Sequence, residues 1–149
     1  METQVNQATQ KHVIAVYGAK EMGKSGSIKM AFRMLQEKYP EKAEILIDGY
    51  DIKALLCIHG KMVGVESQGD PHSRQMDSVA EFAQMGCSII LVASRTRGMT
   101  TKSIGKLKPE YKIDWIWKGD YFEPIHQEET NRKLAEKLVE MVERYAQEM

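Results

Sequence analysis

Eight residues near the start of the chain, Gly18-Ala19-Lys20-Glu21-Met22-Gly23-Lys24-Ser25, have the types and spacing to hold an anion. Glycines at the first and sixth positions let the backbone fold tightly, so that successive N–H groups point at one centre. Lys24 brings a compact cation to that centre, and the Ser25 hydroxyl can bind a metal ion carried by the anion. A helix starting here adds the positive end of its dipole. The spacing G-x-x-x-x-G-K-[ST] arises by accident in roughly one chain of this length in two hundred, so it is a signal in its own right.

The elements needed to position such a loop flank it. Val13-Ile14-Ala15-Val16-Tyr17 is a short apolar run of buried-strand type. Beyond the loop, Ile28, Ala31, Phe32, Leu35 and Tyr39 recur at helical spacing on one face. On this strand, glycine loop and helix the chain resembles the P-loop NTPase superfamily, which includes nucleotide kinases, small GTPases and ATPases. The resemblance implies a three-layer α/β sandwich. It also implies that Gly18, Ala19, Lys20, Glu21, Met22, Gly23, Lys24, Ser25 and Gly26 wrap the phosphates of a nucleotide. Lys24 would then reach the β- and γ-phosphates, and Ser25 would bind Mg²⁺.

A phosphate loop works with a carboxylate at the end of a nearby strand, which holds Mg²⁺ or positions a nucleophile. Glu66 stands there, in Val63-Gly64-Val65-Glu66-Ser67-Gln68-Gly69-Asp70, and is expected to fill that role, with Asp70 as the alternative metal ligand. The stretch is an imperfect Walker B: the usual residue is Asp, and Gly64 interrupts the apolar run. Glu66-Ser67-Gln68-Gly69 also loosely resembles the D-x-x-G switch of small GTPases, but the guanine-reading N-K-x-D motif is missing. ATP is therefore the expected nucleotide, with GTP left open.

Arg95 and Arg97 follow a second buried run, Ser88-Ile89-Ile90-Leu91-Val92-Ala93. Arginine suits bidentate phosphate contact and charge stabilisation in phosphoryl transfer, so both are catalytic candidates. They open a basic stretch containing Lys102, Lys106, Lys108 and Lys112, opposed by Glu110 alone, which reads as a short lid or as a solvated loop. Asp48 and Tyr50, or Ser67 to His72, are the stretches where a small-molecule acceptor would sit. His12, His59, His72 and His126 show no metal-binding spacing.

The remaining pattern fills out the layout. Ile45-Leu46-Ile47 reads as a strand. The runs Ala54–Ile58 and Met62–Val65 flank His59-Gly60-Lys61 and predict an antiparallel hairpin. Met76, Val79, Ala80 and Ala83 predict a helix capped by Gly86. Ile113, Trp115 and Trp117 alternate as in a partly exposed strand. A last helix from about Gln127 carries Leu134, Leu138, Val142 and Tyr145 on one face, with length to spare for an oligomer contact. The sheet is expected to be mostly parallel, with one antiparallel strand from the hairpin.

Length and composition bound the rest. The 149 residues suffice for one domain, expected over 11–149 behind a loose polar tail, 1–10. Lys plus Arg and Asp plus Glu number 21 each, so overall charge gives no case for nucleic acid or an anionic membrane. No apolar run approaches a membrane span, the first residues lack a signal-peptide core, and Cys57 and Cys87 sit in apolar stretches. These features predict a cytoplasmic protein with reduced cysteines. The functional expectation is a small kinase-like phosphotransferase using ATP and Mg²⁺ on a nucleotide or metabolite. The alternative is an NTPase or nucleotide-gated binding module, possibly GTPase-like, working in a larger assembly.

Overall fold

The computed structural model describes residues 10–18, 23–40, 43–118 and 124–148, with backbone alone at 124–127. The predicted tail therefore lies outside the described residues, except Gln10. The strands are β1 (Lys11–Tyr17), β2 (Glu44–Asp48), β3 (Ile52–Ile58), β4 (Lys61–Glu66), β5 (Ile89–Ser94) and β6 (Tyr111–Trp117). The helices are α1 (Lys24–Lys38), α2 (Gln75–Gln84), α3 (Met99–Gly105) and α4 (Pro124–Gln147). They form one mixed sheet in the order β2-β3-β4-β5-β1-β6. β4, β5, β1 and β6 run parallel, and β3 runs against both of its neighbours. The β3–β4 hairpin turns at His59 and Gly60, both with positive φ, as a tight two-residue hairpin requires.

Strand alternation sorts the apolar residues into two cores. Ile14 and Val16 of β1 face α1 and α4, together with Leu56, Val65 and Leu91. Val13 and Ala15 face α2 and α3, with Ile90, Val92 and Ile104. Helices thus cover both faces of the sheet, and β5 is buried along its whole length, which explains why it reads as an unbroken apolar run. No helix among the described residues is long and apolar enough to cross a membrane.

Packing moves several boundaries. The buried stripe of α2 is Gln75, Ser78, Val79 and Phe82, whereas Ala80 is exposed. Phe82 sets this rotation by lying on Gly64, where a Cβ would come within 2.5 Å of the ring. Gly64 therefore makes room for a helix and does not weaken its strand. Gly86 caps α2 as expected, with φ +83° and a bond from the Cys87 N–H to the Phe82 carbonyl at 3.0 Å.

The basic stretch after β5 is corrected more deeply. It contains α3, whose Thr100 and Ile104 are buried, so it is anchored in the core and is not a loose lid. The last helix begins at Pro124, and its Ala135, Leu138, Val142 and Tyr145 pack in the core formed with α1 and the sheet. Its apolar face is thus used within the chain, and the oligomer expected through it gains no support. Both cysteines are free, and burial pushes the Cys87 thiol up to about 11, which keeps it protonated and inert.

Candidate functional site

The C-terminal ends of β4 and β5, the turn before β3 and the start of α1 enclose a cavity of about 480 Å³. Gly23 opens α1 in the left-handed conformation, at φ +87° and ψ 11°, which an L side chain adopts only with strain. Its carbonyl accepts the Ser27 N–H and the Ser27 hydroxyl, each at 2.9 Å. Ala19, Lys20, Glu21 and Met22 lie outside the described residues.

Lys24 is buried, and its Nζ donates to the Gly18 carbonyl at 2.7 Å and the Ser94 carbonyl at 2.8 Å. The ammonium thus ties the start of the glycine loop to the end of β5. Burial lowers its pKa to about 8; the like charge of Arg95 adds to the drop, and Asp70 opposes it.

Ser25 Oγ donates to Asp51 Oδ1 at 2.5 Å, and Ser67 Oγ donates to the same oxygen at 2.8 Å. Ser67 is itself held by the Ile52 N–H, which donates to its Oγ at 2.9 Å. Asp51 is the carboxylate that faces Ser25, and the sequence reading missed it. Its signal was faint: one acidic residue beyond Asp48-Gly49-Tyr50, in a stretch that reads as a turn. Tyr50 stands at the cavity rim, where its carbonyl accepts Lys29 Nζ at 2.6 Å. Asp48 points elsewhere, toward Arg33.

Glu66 is corrected. It ends β4, but β5 separates β4 from β1, and strand alternation turns Glu66 toward α2. It is fully buried; Oε1 accepts Arg74 Nε at 2.8 Å and Ser78 Oγ at 2.6 Å, and Oε2 accepts the Gln68 N–H at 3.0 Å. The carboxylate does not line the cavity. Its contacts clamp the loop over 67–74, and the carboxylates that do line the cavity are Asp51 and Asp70.

Asp70 does line the cavity and pairs with Arg95 Nε at 2.9 Å. The loop carrying Asp70 is pressed against β5 at Gly69, where a Cβ would lie 2.7 Å from Ala93. Arg95 is therefore beside the cavity. Arg97 is exposed, does not line it and has no ion-pair partner among the described residues.

Two further residues have no sequence signal. Asn131 of α4 covers the first turn of α1; a Cβ on Gly23 would lie 2.5 Å from its Oδ1, and one on Gly26 2.8 Å from its Nδ2. Lys118 is buried, with its Nζ 3.2 Å from the position of a Gly23 Cβ. The return of α4 over α1 brings Asn131 to the glycine loop, and the parallel pairing of β6 with β1 brings Lys118, whose N–H donates to the Tyr17 carbonyl at 2.9 Å. No group of three or more His, Cys, Asp or Glu among the described residues is placed to hold a metal ion.

No family model, curated protein or solved structure matches this chain.

Proposed function

We propose that this chain is a P-loop nucleotide-binding protein that uses ATP and Mg²⁺ for kinase-like phosphoryl transfer to a small acceptor. The observation that carries the reading is Lys24. It is a buried ammonium whose bonding partners among the described residues are two carbonyls and no carboxylate. Burying a cation without a carboxylate in contact is costly, and a cavity that accepts an anion relieves the cost.

The neighbouring groups support the same ligand. Mg²⁺ bound with the nucleotide would neutralise charge on the transferred phosphoryl group. Ser25 and Asp51 are the side chains suited to hold it, with Asp70 on the same cavity wall. Lys24 neutralises the phosphates, and the N-terminal turn of α1 adds its dipole. To Arg95, which is held beside the cavity by its pair with Asp70, we assign the steadying of the transferred group. Tyr50 and the rim around it are open to an acceptor. The grip on the phosphates does not select the base, so GTP is tested beside ATP.

A second reading, an NTPase or nucleotide-gated binding module, is favoured by the clamped loop over 67–74. That loop carries Gln68 and Asp70 between Glu66 and the cavity, where it can respond to a terminal phosphate. Product analysis separates the two. Purified protein is given labelled ATP or GTP with Mg²⁺ and a panel of nucleosides, nucleotides and metabolites. Labelled acceptor supports the kinase reading, and free phosphate alone supports the second. Absence of nucleotide binding by calorimetry removes both.

A further inference from the structure

Ser67 is the first residue beyond β4, and it carries the pairing of that strand with β3 one step further. Its N–H donates to the Ile52 carbonyl at 3.0 Å. In a regular antiparallel pair the Ile52 N–H would return the bond to the Ser67 carbonyl. It donates instead to Ser67 Oγ, at 2.9 Å. The side chain has taken the place of a backbone acceptor, which locks its position to the sheet. The neighbours add to the lock: Glu66 is fully buried, and its Oε2 accepts the Gln68 N–H at 3.0 Å. Ser67 itself is buried at the cavity wall.

A serine hydroxyl has a single proton to give. Ser67 Oγ already accepts from Ile52, and its proton goes to Asp51 Oδ1 at 2.8 Å. Ser25 Oγ donates to the same oxygen at 2.5 Å. Both hydroxyls thus converge on Oδ1. Asp51 Oδ2 has no hydrogen-bond or ion-pair partner among the described residues, although Asp51 lines the cavity. The two donors differ in what holds them. Ser25 rides on the first turn of α1, and its oxygen is itself suited to a cation. Ser67 is fixed in the sheet and has no such competing duty.

We propose that Ser67 is a positioning residue for Asp51: its hydroxyl pins Oδ1 and thereby reserves Oδ2 for a divalent cation. The inference rests on the nucleotide reading, because the cation is the one that the phosphates carry. Without Ser67, Oδ1 keeps only Ser25, whose oxygen the same cation would draw on. The carboxylate is then free to turn, and holding it in place for the cation costs side-chain entropy. Losing such an outer partner lowers metal affinity by roughly 10- to 100-fold.

Calorimetry of the full chain tests this, with ATP titrated in EDTA and then at graded Mg²⁺. The parent, Ser67→Ala and Ser67→Thr are compared, each checked by a thermal melt; Ser67→Cys replaces the alanine variant if that chain does not fold. In EDTA all should bind ATP equally well, since Asp51 then has no cation to hold. With Mg²⁺, Ser67→Ala should need roughly tenfold more cation or above to reach half of its gain in affinity. Ser67→Thr, which keeps the hydroxyl, should restore the parent's requirement. The role is overturned by a parental Mg²⁺ requirement in Ser67→Ala, or by an equal loss of affinity in EDTA, which marks general loosening of the site. A threonine variant that behaves like alanine overturns it too, as does a parent whose affinity ignores Mg²⁺. A parent that binds no ATP at all removes the nucleotide reading and the proposal with it. A parent with Mg²⁺-dependent binding beside an unaltered Ser67→Ala removes the positioning role alone.

Discussion

Ser25 Oγ and Asp51 Oδ1 are joined by a 2.5 Å hydrogen bond across 26 positions of sequence. The bond ties the first turn of α1 to the turn before β3, and it names the carboxylate that belongs to the proposed phosphate site. Glu66, the more obvious candidate in the sequence, spends its oxygens on Arg74, Ser78 and the Gln68 N–H.

The two carboxylates should therefore separate on substitution. Asp51→Asn should keep the fold and lose most Mg²⁺-dependent turnover. Glu66→Gln should lower stability by about 1.5–3 kcal/mol, because it weakens a charged hydrogen bond to Arg74. Its rate per folded molecule should stay within a few-fold of the parent. Urea melts together with turnover assays check this, and the reverse pattern would return the metal role to Glu66.

Lys24→Ala should cost about 2–4 kcal/mol in Mg-ATP affinity, as truncation of a buried charge contact does. It should leave the thermal midpoint unchanged or raised, since a desolvated ammonium is removed with the contact. Calorimetry and a thermal melt give the two numbers. Unchanged affinity would sink the P-loop reading.

Lys24 also sets a pH dependence. Its pKa in the free protein is about 8, below the usual lysine value of 10.5. An anion beside it favours the charged form and raises that pKa. Binding is thus proton-neutral well below pH 8, takes up a proton above it, and weakens by up to about tenfold per pH unit over that range. The stability term has the opposite trend: the folded state carries the cost of the buried charge below pH 8 and sheds it as pH rises toward 10.5. Calorimetry in buffers of different ionisation heat should show proton uptake at pH 9 and none at pH 6.5.

Arg95→Ala should lower the rate of phosphoryl transfer with little change in nucleotide affinity, because it sits beside the cavity through Asp70. Arg97→Ala should leave that rate unchanged. If Arg97→Ala slows transfer and Arg95→Ala does not, the assignment is reversed.

Hydrogen exchange should find α3 protected in the free protein, as burial of Thr100 and Ile104 requires. Added nucleotide should slow exchange around Gln68 to Asp70 and Arg95 to Gly98, leaving α3 itself unchanged. Fast exchange along α3 without ligand would restore the lid reading.

Local chemistry made much of this protein legible from residue order alone. The runs in β1 and β5 read as buried strands because both sheet faces are covered, and the His59-Gly60 turn marked its hairpin. The glycine loop could be read as a candidate anion site because the residues that define it lie within eight neighbouring positions. Contacts between distant segments were not legible. Which carboxylate meets Ser25 depends on strand order, and β5 lies between β4 and β1. The rotation of α2 depends on Phe82 finding the space above Gly64, and the anchoring of α3 on one buried Ile104 within a polar run. Asn131 reaches Gly23 and Gly26 only because α4 packs back over α1. Periodicity tells which face of an element is apolar; the tertiary packing alone decides what that face meets, because alternation and burial act between elements far apart in the chain.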